Sequence, residues 1–433
     1  MRITSTLQLL SIFRMKSSGF GNSRAPLLMS IKQQLSSSTN AAYKRVLTDE
    51  INRKKLTLAG DQVALDRMIN DFYVPVYLYF KNLLDKRDAG SHSRPLFIGI
   101  SAPQGVGKTT LTEFMRALFA AEGKSCLSVS IDDFYLTGPK QESLAAAHPT
   151  NPLLTFRGNA GSHDVQLMED TLHALGNINH PQLGGTVTAG TAGNPGTAGR
   201  VRVPQYDKSL RGGRGDRADV SEWLEVLAPL DVVLLEGWML GFTPVDVDVA
   251  DDGPSRSGLN GKGQSTRKDT GVEMVDAVQE VEATVNTSSG DVWERHPGMV
   301  EVNRQLRRYQ HLHELFDAWL VLAVEDDDHD VKTGLVKGVE VTGETSTPEV
   351  SSATTAITTA AGIGAVYQWR LQAETAMRAA GRPGLSNAQV ADFVARFMPA
   401  YEAYLPVLYG EGPQRRGKEI PVLKVSGVGE VVM

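Results

Sequence analysis

Three features of the chain predict an α/β fold with a mostly parallel sheet flanked by helices. An apolar run, Leu96 to Ile100, enters a glycine-containing turn and then a helix-like stretch through Phe119. Two further apolar runs, Ser125 to Ile131 and Leu230 to Gly237, end at carboxylates, Asp132 and Glu236. Strand, helix, strand in that order implies a right-handed parallel unit, and acids at C-terminal strand ends lie on the edge where such sheets bind ligands.

The turn reads Ser101-Ala-Pro-Gln-Gly-Val-Gly-Lys-Thr-Thr110, a phosphate-binding loop between strand and helix. Gly105 and Gly107 let the backbone curl so that consecutive N–H groups face one concavity, and the helix Thr110 to Ala121 adds its positive N-terminal dipole there. Lys108 reaches the β- and γ-phosphates of a nucleotide, and Thr109 ligates Mg²⁺. The expected nucleotide set is therefore Ala102, Pro103, Gln104, Gly105, Val106, Gly107, Lys108, Thr109 and Thr110. The general pattern asks for Gly at the first of these positions, and this chain has Ala102.

Length alone suggests two or three domains for 433 residues, but three low-complexity inserts reduce this to one nucleotide-binding domain over 49–433. Net charge of −6 excludes a general nucleic-acid footprint, so any phosphate-binding charge is local. The single cysteine, Cys126, excludes an intrachain disulfide and a multi-cysteine metal site, and it falls in a strand expected to be buried. No apolar run approaches the roughly 18 residues of a membrane helix, which predicts a soluble protein. Residues 1–48 contain no Asp or Glu but seven Lys or Arg among many Ser and Thr, the composition of an organelle transit peptide, with a disordered basic arm as the alternative.

Along the rest of the chain, Asp49 to Lys86 reads helical from Val63, Leu65, Met68, Ile69 and Phe72 and, beyond Pro75, from Val76, Leu78, Phe80 and Leu83. A short helix over Gln141 to Ala147, a polar loop from Arg157 to Asp164 and a helix from Val165 to Leu175 follow. Asn177 to Gly199 is the first insert, and Pro204 to Arg217 is a dense cationic segment expected to be flexible. A second insert covers Asp246 to Asp291, with an amphipathic patch at Val272 to Val285. Arg295 to Leu315 reads as helix, Ala318 to Glu325 as strand, and Asp326 to Gly364 as the third insert. Helices over Tyr367 to Ala380 and Asn387 to Tyr409 and a short strand at Pro421 to Val425 close the chain.

In-line phosphoryl transfer needs cradled phosphates, a metal between them, a base or orienter for the attacking hydroxyl and cations for the developing charge. Each has a candidate here: Lys108, Asp132 and Glu236 for catalysis, and Thr109 with Glu236 at the metal, Glu236 binding Mg²⁺ through water or orienting it. Asp132 and Asp133 are neighbours at a strand end, so their side chains point to opposite sides and only one need face the phosphates.

The stretches SAPQGVGKTT (101–110), SIDDFYLT (130–137), NPLLTFRGNAGSHD (151–164), VPQYDKS and GGRGDRAD within 203–219, LLEGWMLGF (234–242) and WRLQAETAMR (369–378) resemble D-glycerate 3-kinase of the plant type, within the phosphoribulokinase and uridine kinase-like P-loop kinases. With their spacers they cover most of 95–412 apart from the inserts, and in that family Ala is normal at the position of Ala102. The resemblance implies a P-loop kinase core that phosphorylates the 3-hydroxyl of D-glycerate with ATP and Mg²⁺, in photorespiration and in the plastid, with mitochondrion or cytoplasm as alternatives. It implies Asp132 as base. Lys208, Arg211, Arg214 and Arg217 suit a lid or a clamp on the substrate carboxylate, and Arg157 is another candidate because a guanidinium fork matches a carboxylate. Arg370 and Arg378, eight apart on one helix, are placed to reach ATP phosphates. His163 with Asp164 either orients substrate or caps a helix.

Two other readings keep part of this picture. One changes the acceptor to pantothenate, a nucleoside or another hydroxylated metabolite. The other is a nucleotide-binding regulator or GTPase, against which stand the absence of an N-K-x-D motif and the presence of Lys108, Thr109, Asp132 and Glu236 together.

Overall fold

The computed structural model describes residues 37–53, 62–87, 94–180, 196–197, 199–246, 290–324, 363–379, 385–413, 422–426 and 430–432. The chain begins with helices α1 (Ser37–Arg53), α2 (Gln62–Met68) and α3 (Val74–Asp85), the last two joined by a π-helical turn, Ile69–Tyr73. Pro75 stands in the first turn of α3, where its missing N–H removes little hydrogen bonding. The strand–helix–strand unit is β1 (Leu96–Ser101), α4 (Lys108–Ala121) and β2 (Cys126–Ser130). After β2 comes a 3₁₀ turn, Ile131–Phe134, then α5 (Gly138–Ala147) and α6 (Val165–Gly176). Short strands β3 (Gly196–Thr197), β4 (Arg200–Val203), β5 (Tyr206–Asp207), β6 (Asp216–Arg217) and β7 (Leu224–Leu227) precede β8 (Val232–Gly237). Helices α7 (Gly290–Arg295) and α8 (Gly298–Leu306) and a 3₁₀ stretch, Arg307–Leu315, lead to β9 (Ala318–Leu322). Last come α9 (Ile363–Ala379), α10 (Asn387–Ala395), α11 (Met398–Glu411), β10 (Val422–Ser426) and β11 (Glu430–Val432).

The main sheet has the order β11-β10-β9-β1-β8-β2, parallel throughout except for the antiparallel β10–β11 edge. β8 inserts between β1 and β2, pairing Ile100 with Glu236 on one side and Ser130 with Glu236 on the other. The phosphate loop, Glu236 and the turn carrying Asp132 therefore leave three consecutive strands at one edge. Neighbouring strands lie about 4.8 Å apart, so the three elements fall within one substrate's reach of each other.

Side chains alternate across the central strands, and both faces are buried, as a parallel sheet between helices requires. Leu96, Ile98, Ile100, Val232, Leu234, Ala318 and Leu320 face one core with α1, α3 and α4. Phe97, Val233, Leu235, Trp319 and Val321 face the other, with α6, α8 and α11.

Several expectations change. The helix expected from Asp49 begins at Ser37, with Tyr43 and Leu47 buried, so the boundary expected at residue 48 falls inside a packed helix; residues 1–36 of the expected transit segment lie outside the described residues. Val63, counted in the apolar repeat, is exposed. β2 alternates buried and half-buried because it is the sheet's edge, and Cys126 on it is half-buried rather than core. The helix expected over Arg295 to Leu315 is α8 followed by a tighter 3₁₀ stretch, and that over Asn387 to Tyr409 is two helices. Most of the three inserts and all of the Val272 to Val285 patch lie outside the described residues, although β3, α7 and α9 begin inside their expected ends. The small sheets β3-β4-β7 and β5-β6 and the strand β11 had no counterpart in the sequence reading.

A Cβ on Gly99 of β1 would sit 2.4 Å from the ring of Trp319, which is wholly buried in the adjacent strand. Gly99→Ala is therefore expected to destabilise the fold by about 1–3 kcal/mol through overpacking, read as a lowered urea midpoint with unchanged slope.

Candidate active site

The loop's conformation follows from its glycines. Gly105 and Gly107 have φ of +91° and +94°, and Gly107 directly precedes the first residue of α4, so the last turn of the loop opens its N–H groups toward the helix start. Arg211 is the only non-glycine with positive φ among the described residues, so Ala102 occupies backbone space that any L-residue adopts, and its methyl is buried in the core. That is why Ala replaces the pattern's Gly without strain. The Lys108 ammonium donates to the carbonyls of Ala102 at 2.8 Å and Pro103 at 3.0 Å, and the Gln104 N–H donates to the Tyr401 hydroxyl at 3.0 Å. Trp369 of α9 abuts Gly105 so closely that a Cβ there would lie 2.8 Å from the Trp369 Cβ. Burial lowers the Lys108 pKa, opposed by the charges of Glu236 and Asp132.

Glu236 is buried at the end of β8, and burial raises its pKa, with Asp132 adding repulsion while Lys108 and Lys208 oppose it. Asp132 stands on the 3₁₀ turn rather than on the strand itself. Ser130 caps that turn: its hydroxyl accepts from the Asp132 N–H at 3.3 Å, and the Asp133 carboxylate accepts from the Ser130 N–H at 3.4 Å. Asp132 pairs with Lys208 at 2.6 Å. Burial alone would raise Asp132, but the Lys208 ammonium, helped by His163 and the Tyr135 hydroxyl, holds it at about 2. Asp133 does the other job. Its carboxylate accepts from the N–H of Tyr206 at 3.3 Å, latching β5 to the turn, and burial pushes it up to about 6. The two acids thus take different partners, Lys208 for Asp132 and the Tyr206 N–H for Asp133, and a capped turn instead of strand alternation separates them.

The cationic segment is ordered, not a loose loop: β5 and β6 pair as a two-stranded ribbon. Of its cations only Lys208 pairs with Asp132. Arg217 donates to the Tyr135 carbonyl at 3.0 Å and to Asp164 at 3.1 Å, so it fastens the ribbon's base. Arg211 pairs with Glu142 and with Asp216 at 3.6 Å. Arg157 donates to the carbonyls of Gly213 and Arg214 and lies 5.7 Å over the Tyr206 ring, while Arg214 lies over Phe156. In this structure Arg157 and Arg217 hold the ribbon in place through backbone carbonyls and Asp164, and the Arg214 guanidinium packs over Phe156.

Arg370 is also engaged elsewhere. It pairs with the buried Glu374 at 2.6 Å and stacks over Phe393 at 4.8 Å, and Arg378 ties Leu385 and Asn387 to the end of α9. Neither contacts the phosphate loop here. Asp164 caps α6, accepting from the Leu167 N–H at 3.4 Å. His163 is buried, stacked on Tyr135 at 4.5 Å. Tyr135, Tyr206, Tyr309 and Tyr401, all at or beside the site, escaped the sequence reading; only the Asp-Phe-Tyr spelling marked the first.

The residues fit a nucleotide and Mg²⁺. Thr109 is exposed at the start of α4, Glu236 supplies one buried carboxylate, and among the described residues no group of three or more His, Cys, Asp or Glu forms a protein-only cage. Mg²⁺ bound through phosphates and one or two protein groups asks for no such cage.

A phosphate loop with carboxylates at the next two strand ends on a parallel sheet defines a P-loop kinase fold. No protein-family model matches the chain. It is 35% identical over 368 residues to the chloroplastic D-glycerate 3-kinase of Arabidopsis thaliana, covering 84% of this chain but 59% of that protein, so it spans less than two thirds of the plant relative. It is 30% identical to the uncharacterized kinase mug58 of Schizosaccharomyces pombe over 73% of this chain and 83% of that one. Among solved structures it superposes on the D-glycerate 3-kinase of Cryptococcus neoformans with a TM-score of 0.55 and 24% identity, covering 83% of this chain and 97% of that one, a likeness of fold. The chain belongs to the family of kinases that includes mug58.

Lys108 is the loop's cation, and its charge is held in place by two carbonyls and two acids. Lys108→Ala is expected to lower turnover about 10²–10³-fold or more, measured as ATP-dependent phosphorylation at saturating substrates.

Proposed function

We propose that this protein transfers the γ-phosphoryl group of ATP to the 3-hydroxyl of D-glycerate, giving 3-phosphoglycerate and ADP. One observation carries the reading: the 2.6 Å Asp132–Lys208 pair, two strands from the phosphate loop. It sets a carboxylate able to take a hydroxyl proton beside an ammonium able to take a substrate anion. The names of the plant and Cryptococcus relatives support D-glycerate as the acceptor.

The loop amides and Lys108 hold the triphosphate. Asp132, ionised across the neutral range, accepts the proton of the 3-hydroxyl as that oxygen bonds to the γ-phosphorus and the bond to the leaving ADP oxygen breaks. Lys208 moves its charge toward the glycerate carboxylate, which frees Asp132 to act. Thr109 and Glu236, the latter through water, would hold Mg²⁺, which when bound spreads the charge developing on the phosphate oxygens. A photorespiratory role in the plastid is part of the proposal, supported by the acid-free basic residues 1–48 and by the plant relative's chloroplastic name. The targeting segment would end before α1, whose Tyr43 and Leu47 are packed.

The direct test incubates the protein with ATP, Mg²⁺ and D-glycerate, L-glycerate, pantothenate or uridine, and assigns the product by NMR. Preferential 3-phosphorylation of D-glycerate is expected; turnover of pantothenate or uridine instead would replace the acceptor, and no transfer at all would leave a nucleotide-binding regulator. Asp132→Asn is expected to keep ATP affinity while lowering kcat about 10²–10⁴-fold. Lys208→Ala removes the ammonium that holds Asp132 at about 2, leaving burial to raise it. Because the base must be ionised, the acid limb of the kcat/KM profile is expected to move upward by about one pH unit or more relative to wild type.

A further inference from the structure

We infer that His163 is a specificity-determining residue whose Nε2–H is donated to the carboxylate of the acceptor, beside Lys208. The inference deepens the D-glycerate reading of the site and rests on it.

The loop that carries His163 is pinned from several sides. Ser162 accepts from the Gly158 N–H at 2.9 Å and donates to the Asn159 carbonyl at 2.6 Å. The backbones of Leu136 and Asp164 cross-bond with Ser162 and Phe134 at 2.9 and 2.7 Å, setting His163 directly opposite Tyr135. The imidazole then stacks on the Tyr135 ring, whose hydroxyl supports Asp132.

The hydrogen bonding around Tyr309 sets the tautomer. A backbone N–H only donates, so the Tyr309 hydroxyl accepts from Gly161 at 3.1 Å. The hydroxyl proton is then free for His163 Nδ1, 2.9 Å away; the opposite tautomer would strand that proton in the core. Nδ1 is thus an acceptor and Nε2 carries the hydrogen.

That Nε2–H has no partner among the described residues, although the ring is 1% exposed. A buried donor left unpaired is destabilising and marks a group kept for something else. Tyr135, on which the ring stacks and opposite which its backbone is bridged, closes the turn that carries Asp132, so the imidazole lies beside that turn. Burial holds the ring neutral by pushing its pKa down to about 4. A neutral N–H adds no charge to the site; it adds direction. With Asp132 at the hydroxyl and Lys208 at the charge, a fixed N–H is a third point of contact, and three points distinguish the hand of a small hydroxy acid.

The test compares wild type with His163→Phe, which keeps an aromatic ring for Tyr135 but has no N–H, and His163→Gln, which restores a donor. Wild-type turnover of D-glycerate is measured first; its absence would remove the D-glycerate reading itself. Given that turnover, His163→Phe is expected to raise KM for D-glycerate about ten- to hundredfold with KM for ATP unchanged and kcat within about threefold, and His163→Gln to recover most of the loss. An unmoved KM for D-glycerate, or an equal rise in both KM values with no recovery in His163→Gln, would overturn the inference while leaving the kinase reading intact. Should His163→Phe fail to fold by its thermal melt, Tyr309→Phe decides: losing the tautomer lock is expected to raise KM for D-glycerate several-fold, and an unchanged value counts against the inference.

Discussion

The site depends on a row of charge in which two acids stand between two lysines. Lys108, Glu236, Asp132 and Lys208 follow one another across three strand ends, each influencing the next. Taking a charge out of water is costly unless an opposite charge replaces the solvent, and here each acid has a lysine on at least one side. The row is what lets a carboxylate stay ionised in a largely enclosed place. It also makes the members interdependent, since Glu236 raised by burial is restrained by both lysines, and Asp132 held low by Lys208 still repels Glu236.

Holding such a row in register needs a support that does not slide. The parallel sheet provides it, because Glu236 is paired on both flanks and every side chain around it alternates between two buried cores. A slip of one residue would drive each apolar set into the core shaped for the other, so the register is strongly specified. The ribbon β5–β6 is held differently, by single side chains reaching backbone groups: Asp133 to Tyr206, Arg217 to Tyr135, Arg157 to Gly213 and Arg214. That is a lighter attachment, suited to an element whose Lys208 must exchange one anion for another.

The loop, the three apolar runs and the acids that end two of them were legible because each is a local pattern: glycines where φ is positive, an apolar stretch of strand length, a carboxylate at its end. The arginines were not. Their number and position in the segment 211–217 suggested anion binding, yet guanidinium groups serve carbonyls and carboxylates equally well, and only the fold shows that Arg217 meets Asp164 and Arg157 meets the ribbon's own backbone. His163 was ambiguous for a related reason: its neighbour Asp164 is the helix cap, and the partner that fixes the imidazole, Tyr309, lies 146 residues away.

By itself the sequence determined the phosphate loop, the α/β class and the position of Asp132 and Glu236 at the ends of two apolar runs, since backbone freedom and hydrophobic period act within a few residues. The tertiary structure alone decided that β8 lies between β1 and β2, that Lys208 rather than an arginine faces Asp132, and that Asp133 is a latch. Those outcomes depend on which distant strands share hydrogen bonds and which buried groups find partners, and such pairings are settled only when the whole core closes.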